Sequence, residues 1–64
     1  MKILCERSVP AINTGEILFK SGQEYAAKKI GDGKSCSVKD EFGAIQLLVF
    51  NNKFFRKNFK IVEA

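Results

Sequence analysis

The chain has no histidine and no tryptophan, and only one proline, one tyrosine and two cysteines in 64 residues. Each scarcity excludes something. Without histidine, no side chain ordinarily titrates near neutral pH, so general acid–base catalysis lacks its usual agent. Cys5 and Cys36 have no imidazole to activate either as a nucleophile. Two cysteines so far apart also fall short of the four tightly spaced ligands of a zinc site. "GDGK" (Gly31–Lys34) lacks the spacing of a phosphate-binding loop and reads as a turn. Asp40 and Glu41 are adjacent, but within a turn, where solvation accounts for them. The expectation is a non-enzymatic protein with no catalytic, metal or cofactor site.

Long apolar runs are absent too. Nothing approaches the roughly 18 residues of a membrane span. The opening Met1-Lys2-Ile3-Leu4-Cys5-Glu6-Arg7 returns to charge too soon for a signal-peptide core. These features lead us to expect a cytoplasmic protein without membrane association, whose thiols are reduced and act as small buried hydrophobes.

What is present is enough for one folded domain, residues 1–64. The apolar share is 45%, well above that of disordered chains, yet a domain this small buries only about 60% of its unfolded surface. Short apolar runs cut by glycine and polar residues predict an all-β fold. Strands are expected at Lys2–Arg7, Ile17–Phe19, Tyr25–Ile30, Ser35–Lys39, Ala44–Phe50 and Phe59–Val62, with Ser8–Glu16 a long loop. Turns fall at Gly31–Lys34 and Asp40–Gly43. Cys36 and Val38 share one face of their strand. Ala44–Phe50 is apolar on both faces, with Ile45, Leu47 and Val49 on one and Gln46, Leu48 and Phe50 on the other. Such a strand is either covered on both sides or presents Leu48 and Phe50 to a partner.

The formal charge is +4, and most of the excess is local. "FNNKFFRKNFK" (Phe50–Lys60) interleaves four phenylalanines with Lys53, Arg56, Lys57 and Lys60, and with three asparagines. At about 100° per residue the aromatic and basic side chains fall on opposite halves of a helix. Helix propensity argues against that conformation. The phenylalanines and asparagines each cost roughly 0.5 kcal/mol relative to alanine. A turn, or a single 3₁₀ turn, running into the last strand is the expectation.

Two segments carry a family resemblance. "ILFKSGQEYAAKKI" (Ile17–Ile30) resembles the diverging turn of Src-homology-3 domains, and "RKNFKIVE" (Arg56–Glu63) their end, where a 3₁₀ turn enters the last strand through an Asn-aromatic pair. The resemblance implies a five-stranded SH3-like barrel. It does not carry over polyproline binding, which needs stacked aromatic walls. The chain has no tryptophan, Ser35-Cys36 stands where one opens the third strand, and the long loop holds a single acid, Glu16. Only Asn58 and Phe59 match groove positions. What remains is similar to the short SH3-like barrels encoded by phages and mobile elements, which implies a modulator or inhibitor of a host protein.

Two partner classes fit the residues. A protein partner would meet Leu48, Phe50 and Phe54 as apolar anchors, with Lys53, Arg56, Lys57 and Lys60 as a basic rim. A nucleic acid would use the same cations on phosphate and an exposed phenylalanine to stack on a base. Core arithmetic favours the protein. Lacking tryptophan, the domain needs most of its six phenylalanines inside, leaving one or two for a surface.

Overall fold

The computed structural model describes all 64 residues. Its elements run β1 (Lys2–Cys5), β2 (Val9–Pro10), β3 (Ile17–Phe19), β4 (Glu24–Ile30), β5 (Ser35–Lys39), β6 (Ile45–Val49), α1 (Lys53–Asn58) and β7 (Phe59–Glu63). The mostly β expectation is met. The five-stranded barrel is corrected: there are seven strands, five in one sheet of order β6-β5-β4-β1-β7 and two in a separate β2–β3 hairpin. The sheet is open, because β6 and β7 are its ends and do not pair.

Strand β4 is the shared member. Its first half pairs with β1 (Lys2 with Ala26, Leu4 with Glu24) and its second half with β5 (Ala27 with Val38, Ile30 with Ser35). All pairings in the sheet are antiparallel. The expected long loop Ser8–Glu16 holds β2, which folds back on β3 (Val9 with Phe19). That correction comes from the short apolar pair Val9-Pro10, too brief to show periodicity. The hairpin is held at its base: the Cys5 N–H donates to the Gln23 carbonyl at 2.9 Å, and Gly22 N–H to the Cys5 carbonyl at 2.7 Å. Gly22 adopts φ +88° there, a conformation that costs a side-chain-bearing residue about 1–2 kcal/mol.

The core comprises Ile3, Cys5, Val9, Phe19, Cys36, Val38, Leu48, Phe55 and Phe59. Its centre is aromatic. Phe19 packs edge-on against Tyr25 at 5.0 Å and Phe59 at 5.2 Å, and Phe55 stacks on Phe59 at 5.6 Å. Phe50 packs edge-on against Phe55 at 5.1 Å. Phe42 and Phe54 are exposed, so two of six phenylalanines are left for the surface. Cys5 and Cys36 are buried free thiols. Burial raises both thiol pKa values, which keeps the sulfurs protonated and unreactive.

The segment before the last strand is a six-residue α-helix, not a turn or 3₁₀ turn. The propensity argument failed because Phe50, Asn51, Asn52 and Phe59, which it included, lie outside the helix. Asn52 is the N-cap, its side chain accepting the Phe54 N–H at 2.8 Å. Such a cap contributes about 1 kcal/mol. Asn58 closes the last turn, its amide donating to the Phe54 carbonyl at 2.8 Å. Phe55 turns into the core, and burying a phenylalanine contributes about 1.5–3 kcal/mol.

Candidate functional site

Helix α1 lies beside the β2–β3 hairpin and presents its outer residues to a surface with two depressions separated by Phe54. On one side, Lys53, Phe54, Lys57 and Asn58 face Ser8, Val9 and Pro10 across a groove of about 480 Å³. On the other, Phe54 joins Leu18, Phe19, Leu47, Leu48 and Val49 around an apolar cleft of about 270 Å³. Phe54 is therefore a ridge. Phe54 is 43% exposed and its ring tilts against buried Phe59 at 6.2 Å, so the exposed aromatic rests on the core. The caps on either side fix its direction.

The sequence-expected site residues separate into three groups. Lys53, Phe54 and Lys57 come together on one wall of the groove. Arg56 and Lys60 are exposed but do not line it, Arg56 lying on α1 and Lys60 on β7 opposite Leu4. Leu48 and Phe50 point inward. Leu48 is 5% exposed and belongs to the core, so its expected role as a surface anchor is corrected, and Phe50 is half-buried against Phe55.

The face of β6 that reaches solvent is the other one, Ile45, Leu47 and Val49, at 65%, 69% and 49% exposure. The reason is Asp40. Its Oδ1 accepts the N–H groups of Phe42 and Ala44 at 2.9 and 3.0 Å, and its Oδ2 accepts the Gln46 amide at 2.9 Å. Gln46, the one polar residue on the Leu48 face, is thereby satisfied and the face can turn inward. The Gln46 contact, helped by the backbone donors and opposed by burial, holds the Asp40 carboxyl below the ordinary carboxylate range.

A second polar link fixes the hairpin to the β5–β6 turn. The Tyr25 hydroxyl donates to Glu41 and accepts the Lys20 N–H, and Glu41 N–H donates to the Leu18 carbonyl at 2.8 Å. Lys20 Nζ lies 3.9 Å from Glu41. Sequence reading missed Val9, Pro10, Leu18, Leu47 and Val49 as surface-lining residues. For Leu47 and Val49 the alternation was legible, but which face turned outward was not.

No three Cys, Asp or Glu side chains converge as a metal site would require, and no helix is long and apolar enough to cross a membrane. Comparison with protein families, curated proteins and solved structures finds no match for this chain.

Proposed function

We propose that this chain is a small non-enzymatic module of SH3-like build that binds a protein partner on the Phe54 ridge. The SH3-like part of the reading is supported by the strand order, with a hairpin excursion between the first and second long strands and a helical turn before the last. The binding part rests on one observation: an aromatic side chain, 43% exposed, stands on packed core between two depressions and is flanked by Lys53 and Lys57. Desolvated aromatic anchors carry much of the energy of protein interfaces, and a charged rim sets the partner. The partner expected is a protein surface with an apolar pocket bordered by carboxylates. A phage-encoded modulator of a cytoplasmic host protein would act in this way.

A nucleic-acid partner is the second reading, favoured by Lys53, Arg56 and Lys57 on the same short helix as Phe54. A single exposed ring on that helix offers little stacking surface.

Affinity capture from the native host, with and without nuclease, tests both. The expected result is one stoichiometric protein, retained after nuclease and lost with Lys57→Glu and with Phe54→Asp while circular dichroism is unchanged. Recovery of nucleic acid alone, with binding that falls steeply as salt rises, would overturn the protein reading.

A further inference from the structure

The two edges of the open sheet are built differently. Strand β7 carries Lys60 and Glu63, and its pairing with β1 is interrupted by an irregularity at Lys2/Ile3. Charges and bulges of this kind keep an edge from recruiting another strand. Strand β6, Ile-Gln-Leu-Leu-Val, has no charge, no proline and no register break.

The hydrogen-bond register shows which groups β6 leaves free. Asp40 N–H donates to the Ala44 carbonyl and Phe50 N–H to the Lys34 carbonyl, in phase with the pairs Val38–Gln46 and Cys36–Leu48. In an antiparallel ladder the intervening residues point their backbone groups the other way. The N–H groups of Ile45, Leu47 and Val49 and the carbonyls of Ile45 and Leu47 therefore lie along the open edge, whose only strand neighbour is β5. The Val49 carbonyl is taken by Asn52 N–H at 3.1 Å.

We propose that β6 is a docking edge for an extended segment of a partner protein, added antiparallel or parallel to the sheet, with apolar side chains on one face and carboxylates on the other. The apolar set enters the cleft beside the edge on the Leu48 face, between Leu18 and Phe54. The carboxylates lie on the opposite face, where Lys39 of β5 stands beside Ile45 and Lys28 lies one strand further on, and where the outward positions of β5, β6 and the second half of β4 include no acid. A second copy of this chain fits less well. Its own Gln46 and Leu48 are turned into its core and cannot fill the cleft, and its charge is the same sign. Strand addition gives affinity through main-chain bonds and specificity through alternate side chains. The inference rests on the reading of the chain as a protein binder and shares Phe54 with the ridge, but adds the main-chain edge of β6, which the ridge does not use.

The probe is a synthetic heptapeptide, Val-Glu-Val-Glu-Val-Glu-Val with blocked ends, added to the full chain and followed by residue-resolved amide hydrogen exchange. Slower exchange at Ile45, Leu47 and Val49 is expected. The same peptide with lysine in place of glutamate should bind about tenfold more weakly or worse. A version N-methylated at alternate residues, in either phase, should lose that protection in the phase that blocks the edge-facing donors. Leu47→Glu, at an exposed position on the face that meets the carboxylates, should weaken binding about tenfold or more with the spectrum of the fold intact.

Unchanged exchange at the three amides, equal binding by Leu47→Glu, or no binding at all would overturn the proposal. So would amides already protected without peptide in a protein of doubled mass, which would identify a second copy as the occupant. Loss of this edge with Phe54-dependent capture intact would remove strand addition alone. Edge protection without Phe54-dependent capture would remove only the ridge.

Discussion

The Tyr25 hydroxyl donates to the Glu41 carboxylate across the gap between β4 and the β5–β6 turn, and in the same position accepts the Lys20 N–H at 2.8 Å. This bridge joins Lys20, Tyr25 and Glu41, none of which is a strand-pairing partner of another. Burial, then the hydrogen bond to Glu41, pushes the phenol pKa up to about 12.

The sign of its pH effect follows. The native state holds the phenol proton more tightly than the unfolded chain, so the stabilisation is complete below about pH 10. It disappears as the pH rises through the native value of about 12. Because Tyr25 is the only tyrosine, ultraviolet difference titration reads it directly. The native midpoint is expected near 12 and the denatured one near 10. Tyr25→Phe should lower stability by about 1 kcal/mol in urea denaturation. A native midpoint at the denatured value would show that the bridge does not form.

Asp40 works at the acid end. Its carboxyl is held below the ordinary value, so the stabilisation is present above about pH 3.9 and declines as the pH falls through the depressed native value. Urea midpoints of the wild type and Asp40→Asn, measured from neutrality into acid, should converge as the pH drops. A gap that stays constant with pH would contradict the depressed ionisation.

Phe54 and Phe55 are neighbours with opposite roles. Phe55 is 5% exposed, and Phe55→Ala should cost about 3–5 kcal/mol. A single core of this size rarely supplies more than about 3–5 kcal/mol, so that variant is expected to be largely unfolded by circular dichroism. Phe54→Ala should cost about 1 kcal/mol and remain folded. Equal losses at the two positions would place Phe54 in the core and withdraw it as a ridge.

The thiols report on core opening. Cys5 and Cys36 are both fully buried, and their raised pKa values leave little thiolate at neutral pH. An aromatic disulfide reagent is expected to titrate both in guanidinium and to react far more slowly with the native protein. Equal rates in the two conditions would mean that the core exchanges with solvent freely.

Some of this was legible beforehand for physical reasons. Ile17–Phe19 and Ser35–Lys39 were delimited correctly because glycine-bearing turns adjoin both and side-chain alternation marks the second. Buried Cys36 and Val38 followed from period two. Helix α1 did not follow, because capping depends on where the helix begins. Asn52 costs a helix that contains it and stabilises one that starts after it. Of the seven residues expected to meet a partner, Lys53, Phe54 and Lys57 share the groove, while Leu48 is in the core.

Sequence by itself determined the β-rich class, the turn positions and the number of aromatics the surface could keep. Those depend on local conformation and on volume, which residue identities carry directly. Which face of β6 turns outward was decided only by tertiary structure. Both faces are apolar, and the choice rests on Asp40 reaching Gln46 across the hairpin at 2.9 Å. The open edge was likewise a matter of topology, since a strand's free hydrogen-bonding groups depend on which neighbours the rest of the chain supplies.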